Sequence, residues 1–115
     1  MGTVEPDTAQ ARIRRLNNQF RCHGSGRGSM VVTAGIHDKG QAFMDAAIAT
    51  TRSFDRFTKD NDPHGEHDFG AFTIEDERLF WKLDYYDCAL AGHSPDAADS
   101  AVTHRVLTIM LASEY

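Results

Sequence analysis

No apolar run in this sequence approaches the roughly 18 residues that a membrane-spanning helix requires, which excludes a transmembrane helix. The opening stretch MGTVEPDTAQARIRR has no apolar segment of the signal-peptide kind, so no secretory signal is expected and cytoplasmic residence is the default. Cysteine is scarce. Cys22 and Cys88 are the only two, without the CxxC or Cys/His spacing of a zinc site, and in a cytoplasmic setting both are expected as free thiols. No internal repeat, low-complexity segment, nucleophile motif or helical His-x-x-x-His pair is present. These absences remove solenoid folds and the commonest zinc-hydrolase layout.

What is there is an ordinary globular composition: 115 residues, 41% hydrophobic and 25% charged. That length holds one core. The expected organisation is a flexible N-terminal tail and helix start over residues 1–11, then a single α+β domain over 12–115. The formal charge of −5 is unevenly spread. Arg12, Arg14, Arg15, Arg21 and Arg27 are five of the 12 basic residues, whereas Asp60–Ser100 carries eleven acids against Arg78 and Lys82, a local charge of −9. Such a field repels nucleic acid and attracts basic surfaces.

Along the chain, Ile13, Leu16 and Phe20 recur at helical spacing and predict an amphipathic helix over about 8–21, capped by Asp7 or Thr8. The glycines of HGSGRGS (His23–Ser29) follow a helix and precede a β-rich segment, the reverse of a dinucleotide-binding loop, and read as a flexible turn. Met30–Ile36 predicts a short strand. Asp38 and Gln41 have the spacing of a capping box, and the stripe Phe43, Ala47, Thr50 or Thr51, Phe54, Phe57, widened by Met44 and Ile48, predicts a helix running to about Thr58. Phe69–Ile74 and Leu79–Tyr86 predict a hairpin with a wholly acidic tip, Glu75, Asp76 and Glu77. Leu79, Trp81, Leu83 and Tyr85 alternate with Phe80, Lys82, Asp84 and Tyr86, so one side is buried and the other mixed. Cys88–Ala101 reads as a connecting loop. RVLTIMLASEY (Arg105–Tyr115) fits a helix face or a buried strand, and its length and its β-branched Val106, Thr108 and Ile109 favour the strand. The predicted architecture is a small antiparallel sheet of three or four strands packed by two helices.

The stretch DNDPHGEHD (Asp60–Asp68) concentrates candidate ligands. Against a calcium loop Asp60, Asp62 and His64 fall at positions 1, 3 and 5 and Gly65 at the required glycine, but Ala71 stands where the bidentate Glu is needed. His64, Glu66, His67 and Asp68 form the alternative reading, a metal-binding module or metal-dependent hydrolase with an open coordination position. A metal-free acid–base site would use His67 with Asp68 or Asp84, and Tyr85 or Tyr86 as donor. Asx turns formed by Asp60, Asn61 and Asp62 are the structural explanation of the same residues.

Three strings in order, DNDPHGEHDFGAF (Asp60–Phe72), FWKLDYYD (Phe80–Asp87) and RVLTIMLASEY (Arg105–Tyr115), resemble an uncharacterised bacterial family of domains of unknown function, common in alphaproteobacterial genomes and plasmids. RLNNQFR (Arg15–Arg21) and VTAGI (Val32–Ile36) extend the resemblance over Arg12–Tyr115. Asp76 departs from a glycine at the hairpin tip. The resemblance implies no activity or cofactor, and no catalytic residue follows from it. It implies an address on mobile elements, whose small acidic proteins often occupy basic host machinery. The leading expectation is therefore a non-enzymatic inhibitor or modulator of a nucleic-acid-handling complex, of antirestriction or anti-CRISPR type. Its partner-binding residues are expected to be Asp60, Asp62, Glu66, Asp68, Glu75, Asp76, Glu77, Asp84 and Asp87, with Trp81, Tyr85 and Tyr86 as aromatic anchors if they face outward. No cofactor and no membrane partner are expected. Direct nucleic-acid binding through the Arg-rich first helix is opposed by the overall charge and by the lack of a helix-turn-helix.

Overall fold

A computed structural model describes residues 8–115; the expected tail over residues 1–7 lies outside them. The chain builds α1 (Ala9–His23), β1 (Gly28–Val32), α2 (Ala34–Asp38), α3 (Gln41–Ser53), β2 (Phe69–Ile74), β3 (Glu77–Tyr86) and β4 (His104–Leu111). Short 3₁₀ turns lie at Ser100–Val102 and Ala112–Glu114. The strands form one sheet in the order β1-β4-β3-β2. The predicted α+β class and strand number hold, but the sheet is mixed: β1 runs parallel to β4, while the other pairings are antiparallel. Strand direction is set by long-range connection rather than by local side-chain pattern, which is why the pattern of β1 does not disclose it.

The helices cover one face. Phe20, Ile36, Phe43, Ala47 and Phe54 pack against Leu79, Trp81, Leu83, Leu107, Ile109 and Leu111. Each large apolar side chain so buried contributes roughly 1.5–3 kcal/mol. The alternation read along β3 is thus realised, with Trp81 at the centre of the core, 0% exposed, and not an outward anchor. Opposite it, Gly70 lies where a Cβ would come within 2.2 Å of the Trp81 indole nitrogen. The indole occupies the space of the missing side chain, so glycine is required here by close approach.

α1 begins where the Thr8 hydroxyl accepts the Ala11 N–H at 3.0 Å and closes where the Gly24 N–H reaches the Phe20 carbonyl at 2.8 Å. Its buried side is not the expected apolar one. Asn17 and Arg21 are buried beside Phe20, whereas Ile13 and Leu16 are only partly covered. The predicted strand Met30–Ile36 stops at Val32, and Ile36 enters the core from α2. Asp38 ends α2 instead of opening the next helix. Gly40, at φ 100°, makes the break in a conformation that side-chain-bearing residues avoid. α3 also ends five residues earlier than expected, at Ser53. Phe54 is extended, and both it and Phe57 reach the core from loop backbone, meeting edge to face at 5.1 Å. The C-terminus is tied down by Glu114, whose carboxylate accepts the Thr33 hydroxyl (2.7 Å), the Leu111 N–H (2.9 Å) and the Gly35 N–H (3.0 Å). These bonds hold its pKa below the usual glutamate value, the Thr33 hydroxyl contributing most.

Gly70→Ala is expected to cost about 2–3 kcal/mol by overpacking against Trp81. In urea unfolding the midpoint falls while the m-value stays unchanged.

Candidate functional site

Gln10, Arg14, Asn17 and Arg21 recur at steps of four, three and four, so they form one stripe along α1. This stripe holds the ligand-rich loop. Gln10 donates to the His64 carbonyl, Arg14 to the Gly65 carbonyl at 3.0 Å, and Asn17 Nδ2 to the Glu66 carbonyl at 2.9 Å. The loop is also folded from within. Asp62 Oδ1 accepts the N–H groups of Glu66 (3.1 Å) and His67 (3.2 Å), and Asn61 bridges the Thr58 N–H and the Arg56 carbonyl, both at 2.8 Å. Asn61 and Asp62 thus fold the stretch by side-chain bonds to its backbone, but none spans the two residues of an Asx turn, and α3 stops earlier, at Ser53.

Beneath the loop lies a buried polar network. Asn17, 0% exposed, donates to the Tyr85 hydroxyl at 2.8 Å and accepts from Arg105 Nε at 2.7 Å. The Tyr85 hydroxyl donates to Glu66 Oε1 at 3.2 Å, and Arg105 Nη2 donates to the Ala97 carbonyl at 2.6 Å. Arg21, 2% exposed, donates to the Thr51 carbonyl at 2.7 Å and stacks over Trp81, 4.8 Å from its ring centre. Arg21 Nε and Trp81 Nε1 have no hydrogen-bond partner among the described residues. Burial pushes the pKa of both guanidiniums down and that of the Tyr85 phenol up. It also raises Glu66 and Asp68 from their ordinary values.

His67 stacks flat on Phe57 at 3.7 Å, its Nδ1 3.0 Å from Asn18 Oδ1 and its Nε2 3.6 Å from Asp62 Oδ2. Desolvation lowers its pKa, outweighing the pull of Asp62 in the other direction. The ring is therefore neutral at neutral pH and serves as a packed, hydrogen-bonded wall. Its backbone, like that of Gly65, is left-handed, at φ 55°.

The ligand-rich stretch thus does not converge on a point. Glu66 turns to Tyr85, His67 to Phe57 and Asn18, and His64 stays exposed. Among the described residues no three of His, Cys, Asp and Glu are grouped so as to hold a metal ion. The acid–base pairing is also divided, because Tyr85 faces the helices while Asp84 and Tyr86 alternate onto the other face, Asp84 paired with Lys82 at 3.0 Å. Two surface grooves, of about 470 and 370 Å³, are lined by none of the network residues.

The fold separates the expected partner-binding residues. Asp62, Glu66 and Tyr85 are engaged in the network or the loop, Asp87 caps the Ala91 N–H at 2.9 Å, and Glu77 pairs with Lys39 at 2.7 Å. Asp60, Glu75 and Asp76 are exposed and form no ion pair among the described residues. Asp68 and Tyr86 are half-buried. Composition and periodicity miss Asn17, Arg21 and Arg105, since polar residues within apolar periods read as surface.

A family model described as protein of unknown function, DUF3768, matches residues 32–114, and the chain belongs to that family. α1 lies outside the match. No curated protein and no solved structure matches the chain. No described helix is long and apolar enough to cross a membrane.

Asn17→Ala is expected to cost about 3 kcal/mol, because it strips a buried guanidinium and a buried hydroxyl of their partner, whereas Tyr85→Phe costs about 1 kcal/mol. Denaturant unfolding of the two variants checks the order. Because the pKa of His67 is lower folded than unfolded, its contribution is present above the unfolded value of 6.5 and is lost as pH falls through the folded value. The stability difference between wild type and His67→Gln is accordingly expected to shrink as pH is lowered below 6.5.

Proposed function

We propose that this DUF3768 member is a small acidic, non-enzymatic binding protein that acts in the cytoplasm. It serves as an inhibitor or modulator of a nucleic-acid-handling host complex, of antirestriction or anti-CRISPR type, encoded on a mobile element. It docks its β2–β3 hairpin on a basic surface of that complex and needs no cofactor. The observation that carries this reading is the hairpin tip.

Ile74 pairs with Glu77, so the turn consists of Glu75 and Asp76 alone, at φ 51° and 67°. Both are left-handed, the geometry of a turn that Asn-Gly fills with least strain. A non-glycine residue there costs roughly 1 kcal/mol. Two adjacent carboxylates are thus kept in a conformation that disfavours them, exposed at the end of a rigid hairpin and free of ion pairs among the described residues. Strain retained at an exposed charged position argues for a recognition role rather than a folding one. Asp60 adds a third exposed carboxylate, whereas Asp84 is paired with Lys82 and Asp87 caps a turn.

The His64–Asp68 metal reading finds no such support, since its side chains diverge. Basic surfaces that handle nucleic acid attract an acidic projection by long-range steering, which salt screens.

Glu75→Asn with Asp76→Gly is expected to stabilise the fold by about 1–2 kcal/mol while abolishing capture of the partner from host lysate. Capture by the wild type should weaken steeply between about 50 and 500 mM salt. A nucleic-acid-binding enzyme recovered in this way should lose substrate binding when the wild-type protein is added. Capture that is indifferent to salt and to the tip substitutions would sink the reading.

A further inference from the structure

β2 is an edge strand, and its sequence FGAFTI holds no charge, proline or inward-pointing lysine to keep another strand away. The Leu83 N–H bonds the Asp68 carbonyl at 2.8 Å, so the backbone of Asp68, and by alternation that of Gly70, Phe72 and Ile74, faces β3. The N–H and C=O groups of Phe69, Ala71 and Thr73 therefore face outward, and among the described residues none takes a backbone partner.

Beside this edge runs the groove of about 470 Å³, whose lining includes Ser53, Asp55, Arg56, Ala71, Thr73 and Arg78. Arg56 and Arg78 are exposed, and neither is in an ion pair among the described residues. Asp55 shares the groove, but its charge also acts on Arg21, a buried guanidinium bonded to the Thr51 and Arg52 carbonyls and to Asn18 Oδ1. Three guanidiniums thus share one carboxylate, and the flank of β2 keeps a positive balance. The ends of the strand are of the other sign: Asp68 precedes it, and Glu75 and Asp76 follow it.

We infer that β2 takes a fifth strand from a partner protein, an extended segment with a carboxylate side chain near its middle and Lys or Arg about three residues to either side. The outward amides and carbonyls hold such a segment through its main chain, and the sequence of charges selects it. A second copy of this chain does not match. Its β2 has no carboxylate to set against the arginines, and with Ala71 on a two-fold axis Glu75 falls opposite His67, between Glu66 and Asp68 of the other copy. With Phe72 on the axis, Asp76 falls opposite Asp68. Like charges meet in both registers. The inference concerns the flank of the hairpin and does not rest on the docking reading, since its test uses the purified protein and a peptide alone.

The probe is the end-blocked peptide Lys-Thr-Val-Glu-Val-Thr-Lys, which reads the same in both directions and so covers parallel and antiparallel addition together. Titrated into the isotope-labelled protein, it should move the amide resonances of Phe69, Ala71 and Thr73 most and slow their hydrogen exchange by about tenfold or more at saturation. Replacing the central glutamate of the peptide by lysine should weaken binding by about tenfold, and so should Arg56→Glu with Arg78→Glu in the protein. The two changes together should restore it. N-methylation of one set of alternate peptide residues should abolish binding, and of the other set leave it within about threefold, because only one set bonds to β2. No binding up to about a millimolar would overturn the inference. So would binding that leaves those three amides unmoved, that ignores both charge reversals, or that survives both patterns of N-methylation. Self-association of the protein through Ala71 and Thr73 would give the edge to a second copy, and overturns it equally.

Discussion

One side-chain amide joins the parts of this protein that the chain keeps furthest apart. Asn17 bonds the loop at Glu66, β3 at Tyr85 and β4 at Arg105, from a position on α1 where it is wholly buried. A buried amide without partners would cost several kcal/mol, and a buried guanidinium more. Satisfied together, they hold helix, loop and sheet in one relation, because each group's partner exists only in the assembled fold. Arg21 repeats the logic at the other end of the stripe, donating to the carbonyl that ends α3 while its cationic plane lies over Trp81. Part of the helix–sheet interface is thus polar, and its specificity is that of hydrogen-bond geometry.

That constraint decides the chemistry of the loop. His and carboxylates gathered within nine residues suggest ligands or an acid–base pair. Here their lone pairs and protons are used in folding: Asp62 on backbone N–H groups, Glu66 on a phenol, His67 between Phe57 and Asn18. The shifted pKa values follow from the same burial. They report desolvation under a docked loop, in a place away from the surface grooves, and so they carry little weight as signs of catalysis.

The elements with a strong short-range pattern were legible. The hairpin follows from two β-rich runs flanking a polar pair, and β4 from β-branched residues in a run too short for a core helix. Other features were not. The alternation that identified the buried side of β3 cannot tell a parallel neighbour from an antiparallel one, so β1 was read in the wrong sense. The spacing predicts too long an α3 because Phe54 and Phe57 keep helical spacing while entering the core from loop backbone beyond Ser53. Asn17, Arg21 and Arg105 were invisible because propensity and hydropathy assign polar residues to the surface, and only a specific partner makes their burial tolerable.

The alternation also changes what the charge of −9 over Asp60–Ser100 means. A strand divides its charges between two faces, and a loop that folds on itself uses carboxylates as caps. Along β3, Asp84 is neutralised by Lys82 on the face without helices, while Glu77 is neutralised by Lys39 at the end of the hairpin. Asp62 lies under its own loop and Asp87 caps a turn. Asp60, Asp96 and Asp99 remain exposed on loops, and Glu75 and Asp76 sit where the chain reverses, next to an edge strand and two arginines that have no ion-pair partner among the described residues. A sum over the sequence suggests a broad phosphate-like track. The fold instead leaves carboxylates at the end of one hairpin and guanidiniums beside its flank, an asymmetry that the net charge does not describe.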